Sequence, residues 1–537
     1  MLKKLAVALS LSIVIAGISV PTAGAAEAVE EKVISRAEDG LEIDITIYQP
    51  DDASPENQVP VVLFSHGWGG TKDDGSGLAD DYNNAGFGYV TISQRGHGET
   101  GGQRNVQDPQ LEAQDIMAVI DRVAELDWVQ HNTTVDPVTG EVVEDPTDPV
   151  LGAIGGSYGG GYQTMTALTE IDETGTTRFD ALAPEITWYD LPTSLAPEGV
   201  ARTSWVTALY ATAKATGTIP EFIDQAFAWG ATTGQWPGRE EPYAAAEEAA
   251  GIPNMTDIFR SHSPRGFVEQ GVKLDIPVLQ RQGATDNLFN LNEGLNIFEK
   301  ALTDDARAKS IFTSYNGGHV LPAVGSTLPL GSAPSDDPCN DEYPGEWNQM
   351  RLDFFAVAFA GENPRTALNQ SAYNLATDDN GCRRLDSLPA TVERDVDPTG
   401  FGYWGAPTGA FVPQSHMLAE GPGYVAGTPR IKGDLYNFGQ DTRAFFALSV
   451  GTVAADCADA KVVQNNMMPL RESMPQMSIE GTPFNEEIPA VAVDLAAGEA
   501  LCLTISPVSD TSFGHGSRSP GLMGFDGLEV VVPWVQG

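Results

Sequence analysis

The chain has 537 residues and carries 74 acidic side chains against 30 basic ones, a net charge of -44. A surface of that sign repels nucleic acid and anionic lipid, which excludes two broad classes of partner. It reads as a solubility adaptation to salt water, where counter-ions screen self-repulsion, and the length calls for two or three domains.

The opening MLKKLAVALSLSIVIAGISVPTAGAAEA has the layout of a bacterial export signal. Lys3 and Lys4 form the positive region, Leu5 to Val20 the apolar stretch, and Ala23-Gly24-Ala25 the small-residue cleavage site. Residues 1–25 are therefore expected to be removed, leaving a secreted or periplasmic protein. The apolar stretch is short for a membrane span and nothing later is longer, so no integral span is expected.

The alternating LEIDITIYQ then predicts a strand-rich start over Lys32 to Gln49, followed by a buried strand, Val59 to Ser65. A loop HGWGGTKDD and a helix over Gly77 to Ala85 come next. FGYVTISQ predicts a second buried strand, ending in RGHGETGG, and Leu111 to Trp128 shows helical spacing. HNTTVDPVTGEVVEDPTDP reads as a protruding hairpin around VTGEVV. A third strand, VLGAIGGS, runs into a glycine-rich turn and the helix GGYQTMTALTEI. Buried strands alternating with helices predict a mostly parallel sheet covered on both faces.

Residues 191–270 are rich in alanine, aromatics and helix formers and predict a helical insertion, a cap. IPVLQR and KSIFTSY resume the sheet, and a helix follows around Trp347 to Ala360. From Asn363 onward, short strands are separated by Gly, Pro and Asp, the texture of a β-sandwich. The expected division is an α/β domain over residues 26–362 and a β-sandwich over 363–537.

Gly155-Gly156-Ser157-Tyr158-Gly159 fits G-x-S-x-G between an apolar strand and a helix, the context of a nucleophile elbow. A serine hydroxyl needs a base to take its proton, and the base needs an orienting carboxylate. His319 in NGGHV and Asp286 in GATDN each follow a later strand, in the order serine, acid, histidine. Asp275 precedes its strand and is a poor substitute. His66, His97 and His131 lie upstream of Ser157, and His262, His416 and His515 are scattered through the cap and β regions. The amide of Tyr158 is the first expected oxyanion donor, and the amide of Trp68 in SHGWGG the second.

No Cys or His spacing suggests a metal site, and no cofactor is expected. Cys339, Cys382, Cys457 and Cys502 allow three pairings; Cys339–Cys382 and Cys457–Cys502 keep each bond within one region, and each would contribute about 4 kcal/mol by loop closure.

SQRGHGETGG, GGSYGGGY, ALAPEITWYDL, IPVLQRQGATDN and YNGGHV together resemble the Xaa-Pro dipeptidyl-peptidase and cocaine-esterase-like family. The resemblance runs from about Val59 to Gly361. It implies an α/β-hydrolase domain with a helical cap, a C-terminal jelly-roll domain, and ester or amide substrates lodged between them. The chain departs from those relatives in its oxyanion loop and in a C-terminal region that looks short for the family. They often carry a tyrosine in the oxyanion loop, where this chain has Trp68. The reading is a serine hydrolase acting on a small ester, amide or short peptide, an esterase or acylase ahead of a proline-directed exopeptidase. A different class, a secreted binding protein with a silent hydrolase fold, would leave Ser157→Ala without effect.

Overall fold

The computed structural model describes residues 27–319, 336–396, 401–405, 413–439, 441–473, 478–509, 511–512 and 522–537. The expected export signal lies outside these residues. Among them, no helix is long and apolar enough to cross a membrane.

The first strands, β1 (Glu27–Ile34) and β2 (Glu42–Gln49), form an antiparallel hairpin on one edge of a large sheet. β3 (Val61–Ser65) and β4 (Gly88–Ser93) pair in parallel, and β2 joins β4 antiparallel. The helix expected over Gly77 to Ala85 is α1 (Ala79–Asn84), and a 3-10 segment, Lys72–Leu78, leads into it. After α2 (Glu112–Ala124), β5 (His131–Val135) and β6 (Val142–Pro149) pair as the protruding hairpin, with Val135, Val138 and Val142 exposed. β7 (Leu151–Gly156) leads into α3 (Tyr158–Thr174), and β8 (Ala181–Glu185), β9 (Leu279–Gly283) and β10 (Ile311–Tyr315) continue the sheet in parallel.

The sheet does not stop there. β11 (Tyr373–Ala376) pairs in parallel with β10, and β12 (Cys382–Leu385) closes the far edge antiparallel. The order is β1-β2-β4-β3-β7-β8-β9-β10-β11-β12. The central strands β3, β7 and β8 are buried along nearly their whole length because both faces of the sheet are covered. Ile116, Val119, Tyr162 and Leu168 pack on one side. Tyr82, Met350, Phe354 and Phe355 pack on the other. This is an α/β-hydrolase sheet.

Between β8 and β9 the chain leaves the sheet as the expected run of helices, α4 (Leu191–Leu195) to α9 (Pro264–Glu269). The two longest are α5 (Thr203–Thr216) and α6 (Glu221–Thr233). Their alanines and straight-chain residues favour helix, and Gly217 and Gly234 end them.

The C-terminal region consists of antiparallel sheets. One contains Val392–Asp395, Arg430–Asn437, Thr482–Glu487 and Leu522–Val532; another contains Gln414–Glu420, Thr442–Thr452 and Glu499–Ser506. Leu435, Phe446, Leu503, Phe525 and Val530 from both share one core. The disulfides are Cys339–Cys382 and Cys457–Cys502, the pairing that sequence proximity favours.

Candidate active site

Ser157 sits at the sharp turn between β7 and α3 with φ 59° and ψ -119°, in a region that side chains rarely adopt. Such strain at a strand–helix turn is characteristic of a nucleophile elbow. The turn is held from behind. Its amide donates to Glu185 O at 2.9 Å, and Ser157 O accepts from Gly160 and Gly161. Gly159 is needed for space: a Cβ there would lie 2.1 Å from Ser65 O, so the helix could not approach β3.

The Glu185 carboxylate is itself clamped. Arg281 and Arg351 donate to it at 2.8 and 3.0 Å, and the Trp347 indole at 2.7 Å. Burial pushes its pKa up, but the two guanidinium groups outweigh that and hold it below the ordinary carboxylate range. Arg281 is also stacked between Tyr315 and Trp347, 4.0 and 4.6 Å from the ring centroids.

Asp286 follows β9 and is fully buried. Its Oδ1 accepts from the amides of Leu288 and Phe289 at 2.9 and 3.0 Å, and its Oδ2 lies 2.7 Å from His319 Nδ1. The structure thus brings together the acid and the histidine read from sequence. They are 33 positions apart on neighbouring loops after β9 and β10. The approach is tight enough to require glycine before the histidine. Gly318 has φ 110°, and a Cβ on it would lie 2.6 Å from Asp286 Cβ. Asp275 is remote in role: it accepts from Thr303 Oγ1 at an exposed turn.

His319 is enclosed by aromatic edges, with Phe289 and Trp205 at 5.4 and 5.9 Å between centroids. Phe289, against which the His319 ring packs, lines the same cavity as Ser157. Two groups that sequence reading missed also hold the acid loop. Asn466, from the C-terminal region, donates to Asp286 O at 2.9 Å, and the buried Arg202 from the cap donates to Asn287 O. Neither has a local sequence signal, because each meets its partner from far along the chain.

The loop carrying Trp68 passes beside the serine: a Cβ on Gly67 would lie 3.9 Å from Ser157 Cβ. The Trp68 indole donates to Leu209 O of α5 at 3.0 Å, and its ring meets Tyr158 edge-on at 5.0 Å. The indole is therefore used in packing the cap onto the sheet domain. The Tyr158 amide lies in the first turn of α3, where N–H groups lack intrahelical acceptors. The Tyr158 hydroxyl reaches the buried Glu112 at 3.4 Å, and burial pushes the Glu112 pKa up to about 8.

His66, at the start of this loop, and His97 lie with tilted rings whose centroids are 4.7 Å apart. His66 Nε2 accepts from the amide of Gln94, and burial lowers its pKa to about 4. Burial, with His66 beside it, lowers that of His97 to about 2. Both are neutral scaffolding at ordinary pH. Among the described residues, no group of three or more His, Cys, Asp or Glu could hold a metal ion.

The model of the X-Pro dipeptidyl-peptidase (S15) family matches residues 39–320, just over half of the chain. A curated relative, the uncharacterized protein YcjY of Escherichia coli (strain K12), is 27% identical over 132 residues. That alignment covers 24% of this chain, which spans only 38% of the relative. Among solved structures, a CocE/NonD family hydrolase from Staphylococcus aureus superposes with a TM-score of 0.63 at 12% identity, covering 96% of this chain and 99% of its own. An aminopeptidase from the marine sediment archaeon Thaumarchaeota archaeon gives 0.62 at 13%, covering 98% and 99%. An alpha-amino acid ester hydrolase gives 0.61 at 12%, covering 97% and 98%. At these identities the structural likenesses speak for the fold, and the family match covers the segment that carries the elbow, the acid and the histidine. The chain belongs to the X-Pro dipeptidyl-peptidase (S15) family of serine hydrolases.

Proposed function

We propose that the protein is an exported serine hydrolase that cleaves a carboxylic ester or amide through an acyl-enzyme. The observation that carries this reading is the 2.7 Å pair of His319 Nδ1 and the buried Asp286, packed beside Phe289, which lines the same cavity as the strained Ser157. Ser157 Oγ attacks the carbonyl carbon while His319 Nε2 takes its proton. The resulting oxyanion is held by the amides of Tyr158 and Trp68. His319 then gives the proton to the leaving alkoxide or amine as the bond to it breaks. Water, deprotonated by His319, attacks the acyl-enzyme, and the acid product leaves with Ser157 Oγ reprotonated. Asp286 keeps the imidazole in the tautomer with its proton on Nδ1 and stabilises the imidazolium that forms.

Within this class an esterase or acylase is favoured. The oxyanion loop carries an indole tied to Leu209 O, so the second donor is a backbone amide with no side-chain hydroxyl to reinforce it. The family's own description favours the second reading, a dipeptidyl-peptidase acting before proline. Export rests on the opening sequence and on two disulfides, which persist in oxidising compartments. The division into an α/β domain with cap and a C-terminal sandwich is part of the same proposal, with substrate entering between them.

A short-chain p-nitrophenyl ester and an aminoacyl-proline p-nitroanilide, assayed side by side, decide between the two readings. Ester cleavage alone, abolished by Ser157→Ala, is the expected result. Anilide cleavage lost in the same variant would establish the peptidase, and activity surviving in the variant would remove Ser157 from its role.

A further inference from the structure

The cap encloses a cavity of about 220 Å³ directly against Ser157. Two amphipathic helices build it. Thr203, Val206, Tyr210 and Ala213 of α5 recur at helical spacing, and so do Ile223, Phe227 and Gly230 of α6. Faces of this kind ordinarily pack onto a core; here they face an open space.

The wall holds no Asp, Glu, Lys, Arg or His among the described residues. Its polar groups are neutral, such as Thr203, Tyr210 and Gln235. This is a notable composition for a chain with 74 carboxylates. A site that grips a free α-ammonium needs a carboxylate or several carbonyl acceptors close to the reacting carbon, because an unpaired buried charge is strongly disfavoured. An apolar cavity of about 150 Å³ takes up a benzene-sized molecule, so this one has room for a larger acyl group.

We infer that the cap cavity is the acyl pocket, that it takes neutral, wholly apolar acyl groups of medium length or with an aryl ring, and that it rejects acyl groups bearing a free α-amine. This rests on the hydrolase reading above and adds the substrate class.

The test uses p-nitrophenyl acetate, butyrate and hexanoate, together with the p-nitrophenyl ester of norleucine, which is the hexanoate with an α-amine added. On the full-length enzyme, kcat/KM should rise about fourfold for each added methylene until the pocket is filled. The norleucine ester should be at least tenfold poorer than the hexanoate. Gly230→Leu, whose helical backbone accepts a side chain, should narrow the pocket and lower the hexanoate-to-acetate ratio. A flat chain-length series, or a norleucine ester cleaved as fast as the hexanoate, would overturn the pocket assignment while leaving the hydrolase reading intact. If no ester is cleaved, that reading fails instead, and binding decides the pocket. Titration of Ser157→Ala protein, followed by tryptophan fluorescence, should then show saturable uptake of methyl hexanoate and at least tenfold weaker uptake of norleucine methyl ester. Equal or absent binding would refute the assignment.

Discussion

The side-chain amide of Asn466 donates to the main-chain carbonyl of Asp286 at 2.9 Å, with both residues buried. The two lie 180 positions apart, one in the C-terminal β region and the other in the loop after β9. The C-terminal sheets therefore do more than flank the hydrolase domain, since they hold the backbone from which the acid reaches His319. Asn292 adds to the same junction, donating to Ile488 O and accepting from the Ala490 amide.

Removing that contact should be felt at the active site. Asn466→Ala leaves the Asp286 carbonyl buried without its donor, at a cost of about 1–3 kcal/mol. The expected result is a lower denaturation midpoint together with a kcat reduced more than KM is raised. Steady-state kinetics and urea unfolding of the same preparation check both. An unchanged kcat would mean that the loop holds its shape without the β region.

Asp286→Asn keeps the size of the side chain and removes its charge. His319 is then free to adopt the other tautomer, with no carboxylate to stabilise the imidazolium. A loss of roughly 10³- to 10⁴-fold in kcat is expected. Folding should be little disturbed, and the circular dichroism spectrum of the variant provides that control. A loss below tenfold would rule out Asp286 as the orienting acid.

Glu112 gives the protein a signature in its pH dependence. Its folded pKa is raised by burial to about 8, whereas an unfolded glutamate titrates near 4.5. Between these values the unfolded chain binds fewer protons than the folded one. The contribution of Glu112 to stability is thus fully present below 4.5 and is lost as pH rises through 8, with a slope of about 1.4 kcal/mol per pH unit. Glu112→Gln should flatten this part of the stability profile between pH 5 and 8. The variant also loses one acceptor, since Glu112 receives the amides of Asn105 and Asp108, but that penalty does not vary with pH. Parallel slopes for variant and wild type would show that Glu112 ionises normally.

The net charge of -44 should make stability rise with salt. Self-repulsion among exposed carboxylates is screened over about 10 Å at 0.1 M ionic strength and about 3 Å at 1 M. Differential scanning calorimetry between 0.05 and 1 M sodium chloride should show Tm increasing steeply at first and then levelling. A flat or falling Tm would mean that the acidic residues are already neutralised by local ion pairs.

The strained turn at Ser157 and the closeness of Asp286 and His319 were legible in the sequence, and the reasons are local. G-x-S-x-G between an apolar strand and a helix specifies its own turn, because only glycine fits where Gly159 meets β3. Asp286 and His319 each stand one turn past a β-rich run, and in a parallel sheet those strand ends gather at one edge. The hairpin over His131–Val135 and Val142–Pro149 was legible because its alternation and turn residues are contiguous. The edge of the sheet was not. β11 and β12 look like the short strands that follow them, and nothing local says that Tyr373–Ala376 pairs with β10 rather than with the C-terminal sheets.

By itself, then, the sequence pointed to the strand–turn–helix at Ser157, to Asp286 and His319 on loops after later strands and to the run of helices between β8 and β9, since each depends on residue type and short-range spacing. Among three cysteine pairings it only favoured the one found. Tertiary structure alone decided which distant groups meet. Asn466 and Arg202 converge on the acid loop, Glu112 is buried against the Tyr158 hydroxyl, and α5 and α6 turn their apolar faces to an empty space beside Ser157. Helical periodicity says that a face is apolar; only packing says whether a core or a cavity lies against it.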